Sequence, residues 1–287
     1  SAAFSNEGSD AAMKIGFIGA GNMGCAIMRG ALQGGFLKPY ETMVYDVSEQ
    51  QLAALTAAYP VQVAESNTHL AKECEWIILA VKPIYMRGVL EEIQKYTRNK
   101  KIISIAAGWS MDMLLEVLGR ENSAQVLRVM PNTPALVGAG CTAFCEETSF
   151  TKASLTWAKD LFATLGLVQI VPERLFDAVV AVSGSSPAYV FMFIEALADG
   201  AVKQGMPRKQ AIQAAAQAVM GSAKMVLETG EHPAVLKDNV CSPGGTTIEA
   251  VEALEKGNFR GTVMQAMEAC AKKNQQMTIA SNRRRKQ

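Results

Sequence analysis

An apolar run at Lys14–Ile18 leads directly into Gly19-Ala20-Gly21-Asn22-Met23-Gly24, and a helical pattern follows from Met23 to about Gln33. Three glycines spaced G-x-G-x-x-G between a strand and a helix suit the capture of a dinucleotide's pyrophosphate. Gly19 permits the tight turn, Gly21 lets backbone approach the phosphates, and Gly24 lets the helix pack closely on the strand. The helix start adds free N–H groups and a positive dipole end.

Other segments belong with this turn. Ala80-Val81-Lys82-Pro83, Ala106-Ala107-Gly108 and Met130–Pro134 each follow an apolar run, at the carboxyl ends of strands where open parallel sheets bind ligands. Their small residues would let a flat nicotinamide lie against backbone. Lys82, standing before Pro83, suits a backbone contact better than proton transfer. Asp46 ends the second apolar run, roughly twenty residues beyond Gly24, where an acid accepts from ribose hydroxyls and repels a 2′-phosphate. Its competing role is to cap the next helix, with Ser48 as rival. No Lys or Arg lies between Tyr45 and Ala64, so the residues point to NADH more than NADPH.

A second cluster, Asp238–Thr247, breaks the chain at Pro243-Gly244-Gly245 and starts a helix at about Thr246 or Thr247. N–H groups exposed there could hold a carboxylate, and the threonine hydroxyls could meet a second polar atom. An ordinary helix start with no ligand has the same pattern.

The elements that must position these residues fall into two blocks. From Lys14 to about Val171, apolar runs (42–45, 76–80, 101–105, 125–129, 166–171) alternate with helical patterns (49–58, 67–73, 84–96). That alternation is the mark of a parallel sheet covered on both faces. Beyond Pro172 helices alone are expected, at about 174–204 with a break at 183–187, then 208–229, 248–256 and 260–277. The expected fold is therefore an α/β Rossmann-type domain, 13–172, followed by an all-α substrate and dimerisation domain, 173–280. Residues 1–12 read as a disordered leader or cloning remnant, and 281–287 as a frayed basic tail. Apolar positions in the helical half cover more than one face, which favours a homodimer.

Composition narrows the classes further. With 287 residues, 49% hydrophobic and 19% charged, the chain is that of a globular protein. A net charge of +1 gives no footprint for nucleic acid. No apolar run approaches the roughly 20 residues of a membrane span. Six scattered cysteines and two histidines build no metal site, and reduced thiols in a cytoplasmic protein are expected.

Taken together, segments 17–24, 80–83, 104–108, 128–134, 183–189, 221–225 and 238–247 resemble the pyrroline-5-carboxylate reductase family, with a likeness running from about Met13 to Met277. The Ser242-Pro-Gly-Gly-Thr-Thr247 segment is its most specific part. The resemblance implies NAD(P)H-dependent reduction of 1-pyrroline-5-carboxylate to L-proline, by a Rossmann domain and a helical dimerisation domain, often in a ring of dimers (a decamer). It implies a substrate site along Ser242, Gly244, Gly245, Thr246 and Thr247. Gly245 and Thr246 would be backbone donors to the carboxylate, Ser242 would shape the loop, and Thr247 would be the catalytic hydroxyl at the ring nitrogen. It sets Asn67 near the adenosine end. Many relatives favour NADPH and carry a different turn at Asp46, which leaves the coenzyme choice open. Two other readings are a β-hydroxyacid-type reductase using Lys224 or Lys203, and a non-catalytic NAD(H)-sensing dimer.

Overall fold

The computed structural model describes residues 13–284; the expected leader at 1–12 and the end of the expected tail, 285–287, lie outside the described residues. One sheet of eight strands dominates the first part: β1 (Met13–Ile18), β2 (Thr42–Tyr45), β3 (Gln62–Val63), β4 (Cys74–Leu79), β5 (Lys101–Ser104), β6 (Gln125–Met130), β7 (Gly140–Cys145) and β8 (Gly166–Val171). Their order is β3-β2-β1-β4-β5-β6-β7-β8. The order reverses between β1 and β4, which opens a crevice at the carboxyl ends of these two neighbours.

Six helices cover the sheet: α1 (Asn22–Gln33), α2 (Glu49–Ala58), α3 (Asn67–Glu73), α4 (Pro83–Ile93), α5 (Met111–Leu118) and α6 (Lys152–Ala163). The continuous apolar strands are explained by β4. Ile77 and Leu79 join one buried cluster, while Trp76 and Ile78 join the other, so both faces are dry. The expected parallel sheet is corrected in two ways: β3 and β7 add strands to those expected, and β7 runs antiparallel to β6. Their connection, 131–139, is a short 3₁₀ passage, and a parallel return would need a crossover of a dozen or more residues.

After β8 come α7 (Phe176–Val179), a π-helical turn at Val180–Gly184, α8 (Ser186–Lys203), α9 (Arg208–Thr229), α10 (Pro233–Val240), α11 (Thr246–Lys256) and α12 (Phe259–Arg284). One compact unit runs to Gly184 and takes in the chain again from Ala271; the other is Ser185–Cys270. The division falls later than the break read after Pro172, because Phe176 and Val179 are buried in the sheet's own core. A frayed tail from 281 is also corrected: α12 continues through Arg284.

The helical unit has a thin core of small side chains, Ala198, Ala211 and Ala215, between α8 and α9. Phe191, Met192, Met220 and Leu227 stay exposed on the same two helices. The expectation that no run could span a membrane also changes. Among the described residues, the helical stretch Glu173–Lys203 is long and apolar enough by length and composition, with only 11% of its most apolar window buried. The polar break at 183–187 hides that continuity in the sequence, because the π-turn carries the helix through it.

Candidate active site

Gly19 closes the turn after β1. Its N–H donates to the Tyr45 carbonyl at 2.8 Å, and its φ is +104°. A side chain there would lie 2.5 Å from the Ala80 carbonyl oxygen, so both conformation and space demand glycine. At Gly24 an added Cβ would stand 2.9 Å from the Gly19 oxygen and 3.0 Å from the Ala80 methyl, which sets the close approach of α1 to the sheet. Gly21 differs, because nothing lies within 4 Å of where its Cβ would be. It is the N-cap of α1 and offers no side-chain cap, so the first turn's N–H groups keep their donor capacity. An open cradle above an uncapped helix start fits a pyrophosphate.

Asp46 is bound to this turn. One carboxylate oxygen accepts from the Ala20 N–H at 2.7 Å and the other from the Ser48 N–H at 2.7 Å. Ser48, not Asp46, caps α2 by accepting from the Gln51 N–H. The acid is therefore fixed in place, with lone pairs left for hydroxyl donors.

A cavity of about 610 Å³ opens over these residues. Of the expected coenzyme positions it brings together Gly19, Gly21, Asp46, Asn67, Ala80, Val81 and Lys82. Ala20, Asn22, Met23 and Gly24 act beside it, in the turn and first helical turn, while Pro83, Ala106, Ala107 and Gly108 do not line it. Asn67 is buried and donates from Nδ2 to Glu92 at 3.1 Å. Sequence reasoning missed Tyr45, Val47, Ile84, Tyr85 and Glu92, all on its wall. They share no motif: Tyr45, Val47, Ile84 and Tyr85 signal themselves only by flanking strand ends already identified, and Glu92 lies near the far end of α4.

The two loops beyond β4 and β5 are tied together. Trp109, 4% exposed, donates its indole N–H to the Pro83 carbonyl at 3.0 Å. In the loop after β6, Asn132 is a brace: Nδ2 donates to the Ser183 carbonyl at 3.0 Å and Oδ1 accepts from the Cys141 N–H at 2.8 Å.

In the helical unit, Gly244 sits at φ +67° and the chain enters α11 through Gly245, which supplies no side-chain cap. The Gly245 N–H, expected to face a substrate, instead closes on the Ser242 carbonyl at 3.1 Å. Donor capacity therefore moves one residue on, to the first-turn N–H groups at Thr246 and Thr247. Thr247 is half-buried. Of the two lysines considered for a hydroxyacid chemistry, Lys224 is exposed and paired with Glu228, and Lys203 is exposed at the end of α8. Among the described residues, no group of three or more His, Cys, Asp or Glu is placed to hold a metal ion.

Comparison with known proteins decides the family. Residues 173–277 match the model described as pyrroline-5-carboxylate reductase dimerisation, and residues 14–108 match that of NADP oxidoreductase, coenzyme F420-dependent. The pyrroline-5-carboxylate reductase of Escherichia coli (strain K12) is 49% identical over 92% of this chain and 98% of its own length. The chain belongs to the pyrroline-5-carboxylate reductase family. The enzyme of that name from Arabidopsis thaliana is 41% identical over 92% of this chain and 95% of its own. A crystal structure of Plasmodium falciparum pyrroline carboxylate reductase with NADP bound superimposes with a TM-score of 0.84, at 35% identity, covering 93% of this chain and 98% of that one. Family membership makes the chain an NAD(P)-dependent oxidoreductase, and its helical half carries the family's dimerisation region.

Proposed function

We propose that the protein reduces 1-pyrroline-5-carboxylate to L-proline with a hydride from NAD(P)H, in the last step of proline synthesis. The observation that carries this reading is the uncapped start of α11, reached through Ser242–Gly245 in a chain whose α1 start is also uncapped above a 610 Å³ crevice. One helix start suits a pyrrolinium carboxylate and the other a pyrophosphate.

When bound, reduced nicotinamide supplies the hydride; the chain supplies binding and orientation. First-turn N–H groups of α11 hold the carboxylate. The Thr247 hydroxyl meets the ring nitrogen and holds its proton while the C=N carbon is reduced. A protonated imine already accepts hydride well, so fixed geometry does most of the work and no strong general acid is required. Asp46, together with Glu92, sets two carboxylates against the single cation Lys82 on the cavity wall, which favours a ribose hydroxyl over a 2′-phosphate and hence NADH. The working unit is a cytoplasmic homodimer in which the helical half of one chain completes the crevice of the other. Phe191, Met192 and Leu227, exposed on the single chain, support that pairing and give the apolar Glu173–Lys203 stretch a protein partner.

The test is an absorbance assay at the nicotinamide band with pyrroline-5-carboxylate and each coenzyme in turn. Oxidation of NADH is expected, and oxidation of neither coenzyme would overturn the assignment.

A further inference from the structure

We propose that Asn274 is a positioning residue for hydride transfer: by binding Asp177 it holds the end of α12 as a fixed wall behind the Ala106–Gly108 loop, where the nicotinamide half of the coenzyme must lie. The proposal rests on the coenzyme reading above. From Ala271 onward α12 belongs to the compact unit of the sheet. There Asn274, Thr278 and Ser281 recur at helical spacing on one covered face, and the residues between them are exposed. Asn274 is 5% exposed. This face is polar where a packing face is ordinarily apolar. Buried hydrogen bonds have fixed directions, so such a face specifies where a helix sits more than it adds burial.

The contacts close a ring. Asn274 Nδ2 donates to Asp177 Oδ1 at 2.7 Å. Asp177 stands on α7 beside Phe176 and Val179, which are buried in the sheet's core. One turn earlier, Glu173 accepts from the Met111 N–H, where the loop after β5 enters α5. On the other side of the ring, α12 borders Gly108, which is buried at φ +74°. A Cβ there would lie 3.8 Å from Ser281 Oγ and 3.9 Å from both the Thr278 nitrogen and its Oγ1, which is ordinary contact. Trp109, the next residue, is tied to the Pro83 carbonyl.

The strand order says which half of the coenzyme this wall serves. The cavity beside Asp46 lies over the ends of β1, β2 and β4 and suits the adenosine half. In a doubly wound sheet the second mononucleotide half is met by the strands beyond the switch point, here β4, β5 and β6. Ala106–Gly108 follows β5, so a drift of this loop moves the nicotinamide against the C=N carbon and leaves the adenosine in place. A misplacement of about 1 Å can cost roughly 100-fold in rate.

Three variants test this: Asn274→Ala, Asn274→Asp, and the exchange Asp177→Asn with Asn274→Asp. The measurements are kinetics on pyrroline-5-carboxylate, the isotope effect with deuterated coenzyme, and calorimetric binding of adenosine diphosphate. Asn274→Ala should lose about tenfold or more in kcat and show a larger isotope effect, because misplacement slows the hydride step. Adenosine diphosphate should bind it within about twofold of wild type, since that half of the coenzyme meets other strands. Asn274→Asp sets two carboxylates together and should be worse. The exchange restores one donor and one acceptor and should recover most of the lost kcat. Unchanged kcat in Asn274→Ala overturns the proposal. Adenosine diphosphate affinity falling in step with kcat also overturns it, because that is the mark of a merely structural loss. An exchange no better than Asn274→Asp overturns it too, and decides the matter if Asn274→Ala fails to fold. A wild type that oxidises neither coenzyme would instead strike the coenzyme reading itself.

Discussion

Buried Arg128 and half-buried Glu173 form an ion pair, Nη1 to Oε2 at 3.4 Å, that fastens β6 to the start of the helical run. The Arg128 side chain is 4% exposed and its guanidinium lies 4.5 Å from the Phe176 ring centre. The same Glu173 oxygen accepts from the Met111 N–H at 2.9 Å, so one carboxylate serves a strand, a helix start and the chain's exit from the sheet.

Removing both members should therefore cost less than the two single losses added together. Arg128→Met leaves Glu173 without its cation, and Glu173→Gln leaves a buried guanidinium without its anion. Each is expected to lower unfolding free energy by about 3 kcal/mol. The double variant should lose clearly less than the sum, as urea denaturation can measure. Strict additivity would show that the pair carries no coupling.

Two buried thiols make a pH prediction. Burial, with Glu173 adding to it at Cys145, pushes both Cys74 and Cys145 up to about 12 from an ordinary 9.0. A raised folded-state value means that the unfolded chain releases these protons first. Their stabilising effect is complete below pH 9 and is lost as pH climbs toward 12. Urea midpoints should fall across that interval, and Cys74→Ala should flatten the fall relative to its own starting value.

Thr247→Ala should reduce turnover with coenzyme affinity nearly unchanged. A hydrogen bond acting on a reacting nitrogen in a closed site is worth about 2–4 kcal/mol, or roughly 30- to 1000-fold in kcat. Full turnover in the variant would remove Thr247 from the chemistry.

Asp46→Ser should shift relative kcat/KM from NADH toward NADPH, because it removes the charge that opposes a 2′-phosphate. It should also loosen the glycine turn, since the Ala20 N–H loses its 2.7 Å partner, and so raise KM for both coenzymes. A wild-type enzyme that prefers NADPH would contradict the assignment of Asp46.

A chain disrupted at Gly21 and another disrupted at Thr247 should complement when refolded together. If each site draws on two chains, a mixed dimer has one site carrying both defects and one carrying neither. Random pairing then restores about a quarter of wild-type activity. Proof of mixed dimers without recovered activity would place the whole site within one chain.

Much of this was legible in the residues. Gly19, Gly24 and the helix starts at Glu49, Asn67 and Arg208 announce themselves through spacing, caps and prolines, which are local signals. The Arg128–Glu173 pair, the Trp109–Pro83 bond and the Asn132 brace were not, because each joins residues that only the folded sheet brings together. The antiparallel β7 escaped for a related reason: Gly140–Cys145 is an ordinary apolar run whose direction depends on a connection too short to cross over. At Gly245 the glycine spacing reveals a bend without revealing that its N–H closes on the Ser242 carbonyl.

The last helix has a consequence for how the chain is made. From Ala271 it belongs to the same compact unit as the sheet, where Asn274 donates to Asp177 at 2.7 Å and Thr278 borders Gly108. Every strand precedes this segment in sequence. During synthesis the nucleotide-binding layer would wait, with that edge unsealed, while the helices between Ser185 and Cys270 emerge from the ribosome. A chain stopped at Cys270 should emerge with all eight strands and still be prone to proteolysis near Asp177, its final seal never having arrived.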